Sequence, residues 1–147
     1  MGRVTLRKSN IRELIEEYPS IKLSKKDRVE LDEDIIFVNN KPYFFILNEK
    51  TLPHLKLLLE KDLLKEVVVD MNAVKPLDNG ADVMRPGILK LDESIKKDEF
   101  VVVKDERHGK PLCVCQALED GESIADKESG KVLKNIHHVG DEKWNKK

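Results

Sequence analysis

Apolar runs long enough to cross a bilayer are missing from this sequence; none approaches the roughly 20 residues that a spanning helix needs. Met1-Gly2-Arg3-Val4 has neither the apolar core nor the cleavage site of a secretory signal, and Gly2 lacks Ser or Thr at the position a myristoylation signal needs. A cytoplasmic chain with no membrane partner is expected. Cysteine is scarce. Cys113 and Cys115 stand two apart on one face of a strand, which suits two small buried thiols, makes a poor disulfide, and without a second pair makes no zinc site. Catalytic signatures are missing as well: there is no Gly-x-Ser-x-Gly, no P-loop and no His-Glu-x-x-His. His54, His108, His137 and His138 have no nucleophile or carboxylate at a telling spacing. The expectation is a protein that is not an enzyme and uses no cofactor and no metal.

Charge is plentiful. Lys, Arg, Asp and Glu make up 37% of the 147 residues, yet the net charge is −1, so the two signs are interspersed. The length suits one ordinary domain or two small ones. A single glutamine, Gln116, in so charged a chain points towards heat adaptation; eight asparagines point the other way.

Val4 to Leu6 reads as a short strand. Ser9 or Asn10 is placed to cap a helix from Ile11 to about Tyr18, with Ile11, Leu14, Ile15 and Tyr18 on one face and Pro19 ending it. Arg28 to Leu31 reads as a strand. Ile35–Val38 and Tyr43–Leu47 read as two more, joined by a turn at Asn39-Asn40-Lys41-Pro42 and holding most of the aromatics. Thr51, with Pro53 near the first turn, is expected to start a second helix whose leucines from Leu52 to Leu64 form a broad apolar face. Composition shifts at Lys65-Glu66. From Val67-Val68-Val69 onward, short strands alternate with turns, the pattern of a small barrel. They are Ile88–Leu91, Phe100–Val103, Pro111–Leu118, a short piece at Ser123–Ala125, and Lys131–Val139. The expected division is residues 1–66 and residues 67–147.

The most informative stretch runs from Asp78 to Ile88. Asp78-Asn79-Gly80 has the chemistry of a turn. Val83 to Ile88 then reads as a strand broken at Arg85-Pro86-Gly87, because Pro86 has no N–H for a central ladder. Two glycines allow close backbone approach, and a guanidinium stands beside them. A tight turn needed only for folding explains the same residues.

Val68-Val69-Asp70, Ala73-Val74, Asn79 to Ile88, Phe100 to Val103, Ala117, and His138-Val139-Gly140-Asp141 with Trp144 keep an order and spacing that resembles the PUA domain. That family is named for pseudouridine synthases and archaeosine transglycosylases. In layout, the residues ahead resemble the pre-PUA domain of archaeal proteins similar to the T-cell-lymphoma oncoprotein and ligatin-type translation factors. The resemblance implies an α+β chain: a small N-terminal α+β domain followed by a C-terminal PUA-type β pseudobarrel that binds structured RNA. It places the RNA surface on the glycine-rich loop after the first helix of that domain and on the last strand. Here these are Asn79, Gly80, Ala81, Asp82, Met84, Arg85, Pro86 and Gly87, then Lys131, Lys134 and His138, with Lys75 and Lys90 able to converge on them.

The residues are compatible with that reading in particular ways. Residues 67–147 carry 14 Lys and Arg against 16 Asp and Glu, a balance of −2 that suits a small shape-reading site rather than a broad duplex binder. Gly80 and Gly87 are expected to leave peptide groups open to a ribose or a base edge, such as an acceptor-stem end presents. Asp82 either accepts from a base amine or caps a turn. With no aromatic in the loop, Met84 or the plane of Arg85 supplies the flat contact. His137 and His138 adjoin in a strand, so one packs inside and the other faces out. Trp144 is expected to cover the barrel end. Near the N-terminus Arg3, Arg7, Lys8 and Arg12, and then Lys22, Lys25, Lys26 and Arg28, form a second basic surface. It is either solvated or a contact for ribosomal RNA or a protein. The function expected is non-catalytic recognition of a tRNA acceptor end or of ribosomal RNA, in translation, with the small ribosomal subunit or a translation factor as a further partner. An accessory RNA-binding subunit of an RNA-modification enzyme and a protein–protein scaffold in ribosome assembly are the two alternatives.

Overall fold

Tight turns organise the first third of the chain. In the computed structural model, which describes residues 2–147, five strands form an antiparallel sheet in sequence order. They are β1 (Val4–Thr5), β2 (Val29–Asp32), β3 (Ile35–Val38), β4 (Lys41–Leu47) and β5 (Lys50–Pro53). Asn39 and Asn40 take φ of 50° and 69°, and Asn48 and Glu49 take 49° and 68°. Paired positive φ values match the twist of a two-residue hairpin, and asparagine tolerates them best among non-glycine residues. Helix α1 (Lys8–Glu17) buries Leu14, and Tyr18 just after it, against Val29, Ile36, Val38 and Phe44 on one face of the sheet. The other face carries Ile35, Phe37, Phe45 and Leu52.

Two expectations fail here. Helix α1 starts at Lys8, with Arg7 before it making no side-chain cap, so Ser9 and Asn10 lie inside the helix. The long leucine helix does not form. The Asn48-Glu49 turn folds Thr51 and Pro53 back onto β4 as a strand, with Phe45 opposite Leu52 and Phe44 opposite Pro53. Only α2 (Leu55–Leu58) remains helical, capped by the His54 ring, whose Nδ1 accepts from the Lys56 N–H at 3.0 Å. Its leucines serve two cores: Leu57 packs with α1, and Leu55 and Leu58 pack on the opposite face.

The second sheet has the order β7-β11-β10-β9-β6-β8. Its strands are β6 (Glu66–Val69), β7 (Val83–Met84), β8 (Ile88–Leu91), β9 (Phe100–Asp105), β10 (Pro111–Ala117) and β11 (Lys131–His138). β6 and β9 are parallel and every other pair is antiparallel. The two edges, β7 and β8, are consecutive in sequence and joined by one 3₁₀ turn, Arg85–Gly87. Val67, Val69, Leu77, Val101, Val103, Cys113, Cys115 and Leu133 fill the interior, and both thiols are free and buried. Ser123–Ala125 is not a strand but part of helix α4 (Gly121–Asp126), which buries Ile124. Helix α5 (Glu142–Asn145) ends the fold.

The two sheets share a core. Phe37, Phe45, Leu55 and Leu58 from the first meet Val102 and Val114 from the second, with Ile136 and Trp144 beside them. Trp144 therefore covers this seam rather than a free barrel end. Its ring lies 6.5 Å from that of His54 at an interplanar angle of 16°. His54 and His137 are both fully buried there, 4.5 Å apart. The Leu55 N–H donates to His137 Nε2 at 3.2 Å, so His137 carries its proton on Nδ1 and donates to Asp141 at 2.9 Å. His54 Nε2 donates to the Lys143 carbonyl at 3.0 Å. The His137–Asp141 spacing of four, in which no telling carboxylate was expected, turns out to be a structural pair. Burial works to raise the Asp141 pKa, but the His137 bond and the Trp144 and His138 N–H groups outweigh it and hold the carboxylate well below its usual range.

Burial, and then His137, push the His54 pKa down to about 4; His137 moves the same way, chiefly through burial. A histidine in the unfolded chain titrates near 6.5. Protons therefore favour the unfolded chain: this stabilisation is intact above about pH 6.5 and is lost as the pH falls towards about 4. His54 alone accounts for about 3 kcal/mol over that window. Thermal melts between about pH 7.5 and pH 4.5 are expected to show a falling midpoint, with a shallower slope in His54→Asn. A flat profile contradicts the neutral assignment.

Candidate nucleic-acid interface

Asp70 accepts from the Asn72 N–H at 2.6 Å and so caps the 3₁₀ turn Met71–Ala73 that leads into α3 (Val74–Asp78). The chain leaves α3 in a tight turn, with the Asn79 and Gly80 N–H groups returning to Pro76 and Leu77 carbonyls at 3.1 and 3.0 Å. Gly80 has φ of +89°, and a Cβ there would stand 3.2 Å from His138 Nε2. Only glycine combines that backbone with that closeness. β7 then pairs with β11, placing Met84 opposite Lys131 and Val83 opposite Leu133. The Arg85 N–H donates to the Gly130 carbonyl at 2.8 Å, and the Gly87 carbonyl accepts from the Asp70 N–H at 2.9 Å. The loop and the last strand are thus one surface.

Two polar side chains lock them together. Asn135 Nδ2 donates to the Ala81 and Leu77 carbonyls at 2.9 and 3.2 Å, while its Oδ1 is buried with no hydrogen-bond partner. Asp82 accepts from the Asn135 N–H at 2.8 Å through one oxygen and meets Lys131 Nζ at 2.9 Å through the other. Burial works to raise the Asp82 pKa, but the Asn135 N–H, Lys131 and Lys134 outweigh it and lower it. Asn135 was not singled out from the sequence. An amide between Leu133 and Ile136 in the last strand, beside the exposed Lys134, is the signal that could have found it.

The structure revises what this surface offers. Gly80 N–H, Ala81 N–H, Ala81 C=O and Gly87 C=O all have partners within the protein, so these peptide groups are not open to a ligand. Gly87 is not at positive φ, and a Cβ there would meet Ala73 at an ordinary 3.7 Å. Arg85 is turned inward: Nε donates to the Ile124 carbonyl at 2.7 Å, and the other nitrogens reach the Ile88 and Ala125 carbonyls at 3.4 Å. It ties the closing turn to α4. Met84, half exposed, is the large apolar side chain that the loop presents to solvent.

Between α3 and β7 lies a notch of about 140 Å³ lined by Pro76, Leu77, Asp82, Val83, Met84 and Gly87. Lys75 precedes Pro76 on α3 and is exposed, as is Lys134 on β11. Among the described residues neither has an ion-pair partner. Asn79, Ala81 and Pro86 are exposed on the same loop. Lys90 stands apart, in a separate depression with Asp62, Lys65, Glu66 and Val68. His138 is the half-buried member of its pair: Nδ1 donates to the Val139 carbonyl at 2.9 Å, leaving Nε2 facing Gly80. In the N-terminal basic group, Arg3 and Arg28 converge on Glu30 at 3.9 and 3.0 Å, and the Arg3 guanidinium lies 3.8 Å from the centre of the Phe37 ring. Arg7, Lys8, Arg12, Lys22, Lys25 and Lys26 are exposed.

A six-stranded pseudobarrel closed by one short turn, behind a five-stranded α+β unit, defines a PUA fold with an N-terminal companion. Residues 65–139 match the family model of the PUA domain, and residues 6–61 match that of a domain of unknown function, DUF1947. The chain belongs to the PUA-domain family. It is 47% identical over 131 residues to an uncharacterized protein of Methanocaldococcus jannaschii, covering 84% of this chain and 79% of that one. It is 27% identical to translation machinery-associated protein 20 of Saccharomyces cerevisiae, covering 90% and 83%. The crystal structure of a hypothetical protein from the hyperthermophilic archaeon Pyrococcus horikoshii aligns with a TM-score of 0.83 at 37% identity, covering 97% and 98%.

Gly80→Ala is expected to cost about 1–2 kcal/mol, the penalty of a left-handed backbone for an L side chain, and to lower the melting temperature by several degrees. An unchanged melt shows that the loop is not held against His138.

Proposed function

We propose that this chain is a non-catalytic RNA-binding protein of the translation apparatus, with residues 67–147 as the RNA-binding domain and residues 1–66 as its companion. It recognises structured RNA, a tRNA acceptor end or a ribosomal RNA element, at the face shared by Asn79–Gly87 and β11. One observation carries this: the apolar notch beside Met84 lies next to the strand that bears Lys131, Lys134 and His138, with Lys75 on its other side. A notch of that size takes a base or ribose edge rather than a long duplex, and Lys75 and Lys134 meet the phosphates on either side. Lys131, already paired with Asp82, positions the surface. The PUA family and the yeast relative named for the translation machinery support the same reading. No reaction is assigned. His54 and His137 are committed to the buried seam, and His138 to the loop.

Filter binding to tRNA with and without its terminal CCA, at two salt concentrations, tests the proposal. Binding is expected to weaken without CCA and to fall with salt. Lys75→Glu/Lys134→Glu is expected to weaken it about tenfold or more, and each lysine lost lowers the salt slope by roughly 0.7–0.9. A double variant that binds as the parent does contradicts it, and absence of binding to either tRNA contradicts the acceptor-end reading and leaves the ribosomal RNA element to be tested in the same assay.

A further inference from the structure

The outer face of the first sheet is incompletely covered. Helix α1, ten residues long, leaves a groove of about 440 Å³ between itself and the sheet. Its floor is apolar: Leu14 of α1, then Leu31, Ile36 and Ile46 from β2, β3 and β4, with Leu6 at one end. Leu6, Leu31 and Ile46 are only half buried. The rim is acidic. Glu13 and Glu17 stand one turn apart on α1, where like charges repel, and Glu49 faces them from the β4–β5 turn. None of the three has an ion-pair partner among the described residues. Lys50, the cation among the described lining residues, has its Nζ 5.6 Å from the centre of the Phe100 ring.

Such a groove rejects phosphate and therefore RNA. It is complemented by aliphatic side chains that fill the floor and by cations that relieve the carboxylates at the rim. We propose that it docks a segment of another protein in which leucine-like and lysine- or arginine-like side chains lie together. The chain would then hold a nucleic acid on one sheet and a basic, aliphatic protein segment on the other.

Fluorescence anisotropy with three labelled synthetic peptides tests this: a leucine–lysine repeat, a leucine–glutamate repeat and a glutamine–lysine repeat of equal length. The leucine–lysine peptide is expected to bind the full chain in the micromolar range, and the other two about tenfold more weakly or worse. Glu13→Lys/Glu17→Lys is expected to lose the leucine–lysine peptide and to gain the leucine–glutamate one, with a thermal melt as cooperative as the parent's showing that the variant is folded. Its tRNA binding is expected to be unchanged, so this inference and the RNA reading fail separately. The inference is overturned if no peptide binds, if all three bind alike, or if the double variant binds as the parent does. A concentration-dependent dimer in sedimentation velocity that the double variant abolishes also overturns it, since a second copy then fills the groove.

Discussion

Pro86 has no N–H to give to a ladder, and the chain places it where two sheet edges must be joined without one. The Arg85–Gly87 turn links β7 to β8, and its two ends are tied to different parts of the barrel: Arg85 to Gly130 ahead of β11, and Gly87 to Asp70 after β6. Arg85 adds its guanidinium to the carbonyls of α4. The pseudobarrel is closed by this turn, and the proposed RNA face exists because closure sets the Asn79–Gly87 loop edge-on against β11. Gly80, Asp82 and Asn135 then fix the register of that contact. A glycine-rich loop in isolation would sample many shapes; here the Gly80 and Ala81 N–H groups and the Ala81 and Gly87 carbonyls are spent on internal bonds. On the proposed reading, recognition falls to exposed side chains and to the form of the notch.

The seam between the sheets follows a second logic. It holds two fully buried histidines, yet each ring nitrogen has a partner of definite polarity, which fixes both tautomers in the neutral state. Asp141 collects bonds from His137, His138 and Trp144 and so tethers the end of β11 to α5. The same short stretch of chain therefore serves both places: His138 faces the loop, and its neighbour His137 joins the barrel to the first sheet.

Much of this was legible in the residues. The break at Arg85-Pro86-Gly87, the Asn39-Asn40 hairpin, the strands from Val67 onward other than Ser123–Ala125, and the inward and outward pair at His137 and His138 each rest on a strong local signal, and the structure has them. The leucine-rich stretch misleads because Asn48-Glu49, with no glycine, carries little local sign of the left-handed turn it forms. That turn converts Thr51-Leu52-Pro53 from a helix start into a strand, and tertiary packing then divides the leucines between two cores. Ser123–Ala125 misled because a three-residue window carries no period. Arg85 and the glycine peptide groups look open to a ligand in the sequence because sequence cannot show which carbonyls lie within reach. The locking role of Asn135 was invisible for the same reason.

Charge is arranged by face rather than by total. The second half is net −2, yet among the described residues Lys75 and Lys134 have no ion-pair partner beside the notch, and neither do the carboxylates Glu13, Glu17 and Glu49 at the groove on the first sheet. Amide chemical-shift mapping of the whole chain with a tRNA acceptor-stem minihelix tests the central claim most directly. The account predicts perturbations grouped on Asn79–Gly87 and Lys131–His138, with the groove residues Glu13, Glu17 and Ile46 unmoved. Perturbations confined to Arg3–Arg12 and Lys22–Arg28 would contradict it.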